Sequence, residues 1–141
     1  VCLSKGLGAP VGSVLCGRAE FIKAARRWRK MLGGGMRQAG VLAAAGSHAL
    51  AHHIARLAED HANAARLAAG LSRHRKLEVE HTGTNMVFVD VPENLAERLA
   101  AHLAADGIMI TGTTRQRWVT HLDVGAEDVD RALSGVDRFF A

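Results

Sequence analysis

Phe21, Ala25, Trp28 and Leu32 recur at helical spacing, while Lys23, Arg26, Arg27 and Lys30 line another face of the same stretch. The pattern predicts a helix over 18–32 with a buried apolar stripe, stopped by Gly33, Gly34 and Gly35. Upstream, residues 1–3 read as the end of a strand. Residues 4–12 read as a loop broken by Gly6, Gly8, Pro10 and Gly12, and 13–16 as a short apolar strand. A second helix is expected from Met36 through the small residues of 39–46. A long helix over 47–74 follows, with Ile54, Leu57, His61, Ala64, Ala68 and Leu71 as its stripe.

The period then changes. Residues 76–80 alternate apolar and polar, and 85–91 are β-rich through Met86, Val87, Phe88, Val89 and Val91. Pro92 ends that strand and opens a helix over 93–106 carrying Leu95, Leu99 and Leu103, which Gly107 closes. Strands are expected at 108–111 and 117–122, and a last helix at 127–140. Helices on a small, mostly antiparallel sheet make an α/β fold.

The chain has 141 residues, 48% of them apolar, which is enough for a real core and too much for disorder. The formal charge of +4 is concentrated in 23–30, so a small acidic or phosphorylated molecule suits it as well as a nucleic acid does. Cys2 and Cys16 form no spaced framework and fit reduced thiols in a cytoplasmic protein. No apolar run reaches the length of a membrane span. The abrupt opening on an apolar strand and a glycine loop reads as the middle of something longer.

Two segments could carry chemistry. Lys5 stands where a strand gives way to glycines, and a lysine amine there can form an imine with a carbonyl while the glycines let a flat group approach. Taken alone, a loop lysine is usually solvated and inert. In 29–38, Lys30 and Arg37 flank the triple glycine ahead of a helix start, where free N–H groups favour an anion. The plain alternative is a helix joint with solvated charges.

The string Ser4-Lys5-Gly6-Leu7, then Pro10-Val11-Gly12-Ser13, resembles the threonine aldolase family, the aldolase-type branch of the β-eliminating lyases. So do Arg26 and Arg27-Trp28-Arg29-Lys30 through Gly33-Gly34-Gly35-Met36-Arg37-Gln38, and Arg117-Trp118-Val119-Thr120-His121-Leu122-Asp123-Val124. The resemblance implies the C-terminal part of a fold type I, aminotransferase-like enzyme dependent on pyridoxal 5'-phosphate (PLP). Residues 1–46 would end the large, cofactor-binding domain, and 47–141 would form the small one. By position Lys5 would hold PLP as an imine, with Ser4 and Gly6 lining its loop, and Arg117 would clamp the substrate carboxylate. Lys30 and Arg37 would reach the cofactor phosphate of a neighbouring subunit. The implied reaction is cleavage of threonine or allo-threonine to glycine and acetaldehyde by a cytoplasmic homodimer or homotetramer, with neither nucleic acid nor membrane as partner. Gln116 departs from the apolar residue usual in relatives before the arginine.

Other readings compete. His48 and His52 have metal-ligand spacing on a helix and His53 adds a third ring, but no further ligand completes a set, so surface histidines and no metal are expected. His61 is expected in the core, and His121 on the strand face of Arg117. Lys23, Arg26, Arg27, Arg29 and Lys30 around Trp28 could bind nucleic acid, an idea opposed by Trp28 lying on the stripe expected to be buried. Lacking the acidic partner of the pyridine nitrogen and the main phosphate loop, this stretch alone is expected to be inactive. A non-catalytic, self-associating small-domain piece is the alternative.

Overall fold

The computed structural model describes residues 1–141. It contains α1 (Ala19–Met31), α2 (Gly40–His52), α3 (Leu57–Leu71), β1 (Glu78–His81), β2 (Met86–Asp90), α4 (Glu93–Ala105), β3 (Arg115–Val119) and α5 (Ala126–Phe140). The chain divides into two compact units, Val1–Leu57 and Ala58–Ala141. Position 46/47, where the domains were expected to meet, falls inside α2.

In the first unit, residues 1–18 are held by few backbone bonds. Cys2 and Ser13 form a single antiparallel bridge, so the strand expected at 13–16 is reduced to one rung. Leu3, Leu7, Ala9 and Ala49 bury a small core, with Leu57 packed against it. The helix expected over 18–32 forms as α1, but its stripe is open: Phe21 is 53% exposed and Trp28 61%. Nothing in this unit covers α1, so the expectation of a buried Trp28 fails, and with it the argument from burial against a basic, aromatic binding face. The break between the next two helices also differs from the expected one. The small residues of 39–46 continue as helix to His52, and the chain turns at 53–56 instead. Ala and Gly give no stop signal there, whereas the turn before Leu57 is closed by Leu57 N–H donating to the Ile54 carbonyl at 3.2 Å.

The second unit is an antiparallel sheet of order β1-β2-β3 with helices packed on it. β2 is central, and alternation puts Val87 and Val89 wholly inside while Phe88 faces the other way. Ala64, Leu67, Ala68 and Leu71 of α3, Ala96, Leu99 and Leu103 of α4, and Val129, Ala132, Leu133 and Val136 of α5 complete the core. α4 starts after Pro92, whose fixed φ suits a helix entry, and stops at Gly107 with φ 76°. The Ile108 N–H reaches back to the Leu103 carbonyl at 2.9 Å. In α3 the expected stripe residues Ala64, Ala68 and Leu71 are buried, whereas His61, expected in the core, is exposed and its neighbour Asp60 is buried instead. Ile54, also expected on that stripe, belongs to the turn before the helix and is exposed.

Two strand expectations are corrected. Residues 108–111 form no strand despite their apolar run, and β3 covers 115–119 rather than 117–122, leaving His121 beyond its end. The Asn85 side chain donates to the Thr120 carbonyl at 2.9 Å and the Thr120 N–H to the Asn85 carbonyl at 3.0 Å, which closes the ladder there.

Gln116, the departure noted above, is 1% exposed and fully paired. Its Oε1 accepts from Trp118 Nε1 at 2.9 Å and its Nε2 donates to the Thr113 carbonyl at 3.1 Å. Gln116→Leu is expected to lower unfolding free energy by about 1–3 kcal/mol, since it orphans a buried indole N–H and a carbonyl. A urea midpoint equal to that of the parent chain would refute this pairing as a source of stability.

Candidate functional site

The Lys5 loop is built on a tight turn. The Gly8 N–H donates to the Lys5 carbonyl at 2.8 Å, with Gly8 at φ 69°, a conformation a side chain would strain. The Ala9 N–H donates to the Leu3 carbonyl at 3.0 Å, and the Leu3 N–H to that of Gly12 at 2.9 Å. Leu3 and Leu7 point inward and anchor the loop on both sides of the lysine. The approach is close: a Cβ on Gly6 would stand 3.0 Å from Leu57 Cδ2, and one on Gly46 the same 3.0 Å from Leu3 Cδ1. A third anchor was not legible beforehand. His53 Nδ1 lies 2.7 Å from the Leu7 carbonyl and must donate to it.

Ser4 and Lys5 are exposed and Gly6 half-buried. Lys5 takes part in none of the ion pairs and presents a free amine. Ser4 Oγ lies 3.4 Å from Cys2 Sγ. That hydroxyl, followed by the Ser4 backbone and helped by the Lys5 charge, holds the Cys2 thiol below its ordinary range.

After α1, the Gly34 N–H donates to the Arg29 carbonyl at 2.7 Å, and Gly33 has φ 87°. A Cβ at Gly34 would lie 2.9 Å from the Arg29 carbonyl oxygen, so this turn requires glycine. Lys30 folds back over it, its Nζ 3.1 Å from where a Gly35 Cβ would be. Arg37 precedes Gln38, a non-glycine residue at φ 53°, and α2 begins with no side-chain cap on its free N–H groups. Lys30 and Arg37 are exposed and outside every ion pair. Two unpaired cations on either side of a glycine turn are a donor set that fits a phosphate. A free amine on a glycine turn fits an aldehyde.

Arg117 belongs to the second unit. β3 alternates exposed and buried residues, so Arg115, Arg117 and Val119 share its outer side. The two arginines differ. Arg115 is committed, with Nη1 2.5 Å from Asp90 Oδ2 and Nη2 2.8 Å from Glu80 Oε2, and its guanidinium lies 5.2 Å from the Phe88 ring centroid. The hydrogen bond to Glu80, then the Asp90 charge, raises its pKa. Arg117, opposite Phe88 in the register, is unpaired. It lines an open cavity of about 580 Å³ together with Ile108, Met109, Ile110 and Val124, and with Asp128 and Arg131, which are paired with each other. An unpaired planar fork at an apolar hollow suits an organic carboxylate.

Of the three histidines expected at the surface, His48 and His52 are exposed, but His53 is half-buried by its bond to the Leu7 carbonyl. His48 and His52 have centroids 4.4 Å apart, and His48 and His53 5.4 Å. No group of three or more His, Cys, Asp or Glu side chains could hold a metal ion.

The chain is 52% identical over 141 residues to the low specificity L-threonine aldolase of Escherichia coli K12, covering 100% of this chain and 42% of that relative. It is 44% identical over 141 residues to the low-specificity L-threonine aldolase 1 of Arabidopsis thaliana, covering 95% and 39%. The chain thus spans about two fifths of the length of these curated relatives. A solved structure from Burkholderia pseudomallei, described as a candidate aminotransferase, superimposes with a TM-score of 0.61 at 23% identity. It covers 89% of this chain and 38% of its own, and shows the aminotransferase-like fold. The family model described as beta-eliminating lyase matches residues 1–94, and the chain belongs to that family.

Proposed function

We propose that the full-length protein is a PLP-dependent aldolase that cleaves L-threonine or L-allo-threonine to glycine and acetaldehyde, and that this chain supplies its lysine and its carboxylate clamp. The observation that carries the reading is the end-to-end likeness to low-specificity threonine aldolases, with Lys5 presented as a free amine on a pinned turn. PLP, when bound, supplies the sink for the electrons of the broken Cα–Cβ bond. Lys5 anchors the cofactor aldehyde. Arg117 holds the amino-acid carboxylate and so fixes the rotation of the substrate about Cα, which is an orientation effect. Lys30 and Arg37 supply positive charge for the cofactor phosphate of a neighbouring subunit.

A homodimer or homotetramer in the cytoplasm, with no nucleic-acid or membrane partner, completes the proposal. No helix is long and apolar enough to cross a membrane. The uncovered side of α1, with Phe21 and Trp28, favours a second reading in which this stretch contributes association and no chemistry. Borohydride reduction of the full-length protein with PLP, followed by peptide mapping, decides between them. The pyridoxyl group is expected on Lys5, with acetaldehyde released from threonine before reduction. A label on another lysine, or no label, would overturn the assignment.

A further inference from the structure

We propose that His53 is a positioning residue for the cofactor lysine, acting through the Leu7 carbonyl. The inference rests on the reading of Lys5 given above. The hydrogen bond is short, 2.7 Å, and part-buried, and it joins residues 46 apart in sequence. Its acceptor sits inside the turn that Gly8 N–H and the Lys5 carbonyl close. A carbonyl has no proton to give, so Nδ1 carries the hydrogen in the neutral ring as well as in the charged one. The clamp therefore does not depend on the charge of His53.

Each side of the turn has its own restraint. Leu3 fixes the entry against Gly46, Leu57 lies under Gly6, and Leu7 is buried in the small core. Those contacts are apolar and non-directional. The bond from His53 adds direction, because it fixes which way the Leu7 carbonyl points and hence the peptide planes that set where Lys5 leaves the turn. His53 is half-buried, and its ring stands perpendicular to that of His48 with centroids 5.4 Å apart. The residue is also the C-cap of α2, so the helix places the ring and the ring places the turn.

The test uses the full-length protein with PLP and two variants of similar shape. His53→Leu removes the donor. His53→Asn keeps an N–H at the δ position, attached to Cγ as Nδ1 is. PLP affinity is read from the yellow absorbance on titration, the rate of cofactor loss to hydroxylamine is followed at saturation, and borohydride mapping identifies the lysine used. His53→Leu is expected to weaken PLP binding and speed its loss to hydroxylamine, each roughly three- to tenfold, the range of one net hydrogen bond. His53→Asn is expected to stay within about twofold of the parent on both. A structural role alone would move the urea midpoint of His53→Leu and leave its hydroxylamine rate untouched. If Lys5 carries the label and the Leu variant matches the parent, the positioning role is overturned while the function stands. If another lysine carries the label, the functional reading falls first. Should the Leu variant fail to fold, His53→Ala takes its place as the donor-less variant: loss of PLP binding in Ala but not in Asn supports the clamp, and parent-like values in Ala overturn it.

Discussion

Arg117→Ala in the full-length protein is expected to raise KM for threonine at least about thirtyfold while leaving PLP bound. Truncating one partner of a sequestered, hydrogen-bonded charge pair costs roughly 2–5 kcal/mol, and about 1.4 kcal/mol is a factor of ten. The size of the loss depends on the clamp being unpaired before substrate arrives, and Arg117 is outside every ion pair of the fold. Arg115 provides the control. It lies two residues earlier on the same side of β3, but its guanidinium is engaged by Glu80 and Asp90. Arg115→Ala should leave KM close to that of the parent, because exposed surface pairs contribute little. Arg117→Lys should recover only part of the loss, since an ammonium keeps the charge without the two-pronged geometry. Steady-state kinetics with the PLP absorbance monitored in parallel separates these outcomes. A rise in KM on replacing Arg115 but not Arg117 would move the clamp to the other arginine.

The contrast between these two arginines was not readable in the sequence. Both stand in a polar, alternating strand, and only the register shows which has acidic neighbours: Arg115 lies opposite Asp90, and Asp90 opposite Glu78, with Glu80 near. The motifs around Lys5 and Arg117 were legible because they are contiguous strings, and a string needs no fold to be recognised. His53 was not, because its partner is a backbone carbonyl that any residue at position 7 would carry. Such a contact leaves no trace in residue types. It was weighed only against His48 and His52, as a ligand.

The same distinction runs through the fold. α1 and α4 were legible from their stripes and their glycine or proline boundaries, and β1 and β2 from alternation and β-branched content. The joint at 53–56 was misplaced because the small residues of 39–52 lack both a stripe and a stop. Residues 108–111 have strand composition, but strand is a property of pairing. β3 is an edge, and the only neighbour it has in the sheet is β2. Trp28 shows the limit of the amphipathic argument. The stripe predicts a face that can be buried, and whether a partner covers it is decided outside that segment.

Packing between α4 and α5 offers a sharper test, in which the sign of one substitution should reverse. Leu103 is wholly buried, so Leu103→Ala is expected to cost about 2–5 kcal/mol through lost contacts and a cavity. Gly135 faces it, and a Cβ there would lie 2.6 Å from Leu103 Cδ2, closer than packed atoms approach. Gly135→Ala alone therefore overpacks the joint, at about 1–3 kcal/mol. That outweighs or cancels the roughly 1 kcal/mol by which alanine exceeds glycine inside a helix. In the Leu103→Ala background the clashing methyl is gone. The new Cβ then fills part of the vacated space, and the helix preference acts unopposed, so Gly135→Ala should stabilise by about 1 kcal/mol. Urea unfolding of the parent, both single variants and the double variant measures all four corners, and the coupling is the departure from additivity. Equal effects of Gly135→Ala in both backgrounds would mean that Leu103 is not what keeps residue 135 a glycine.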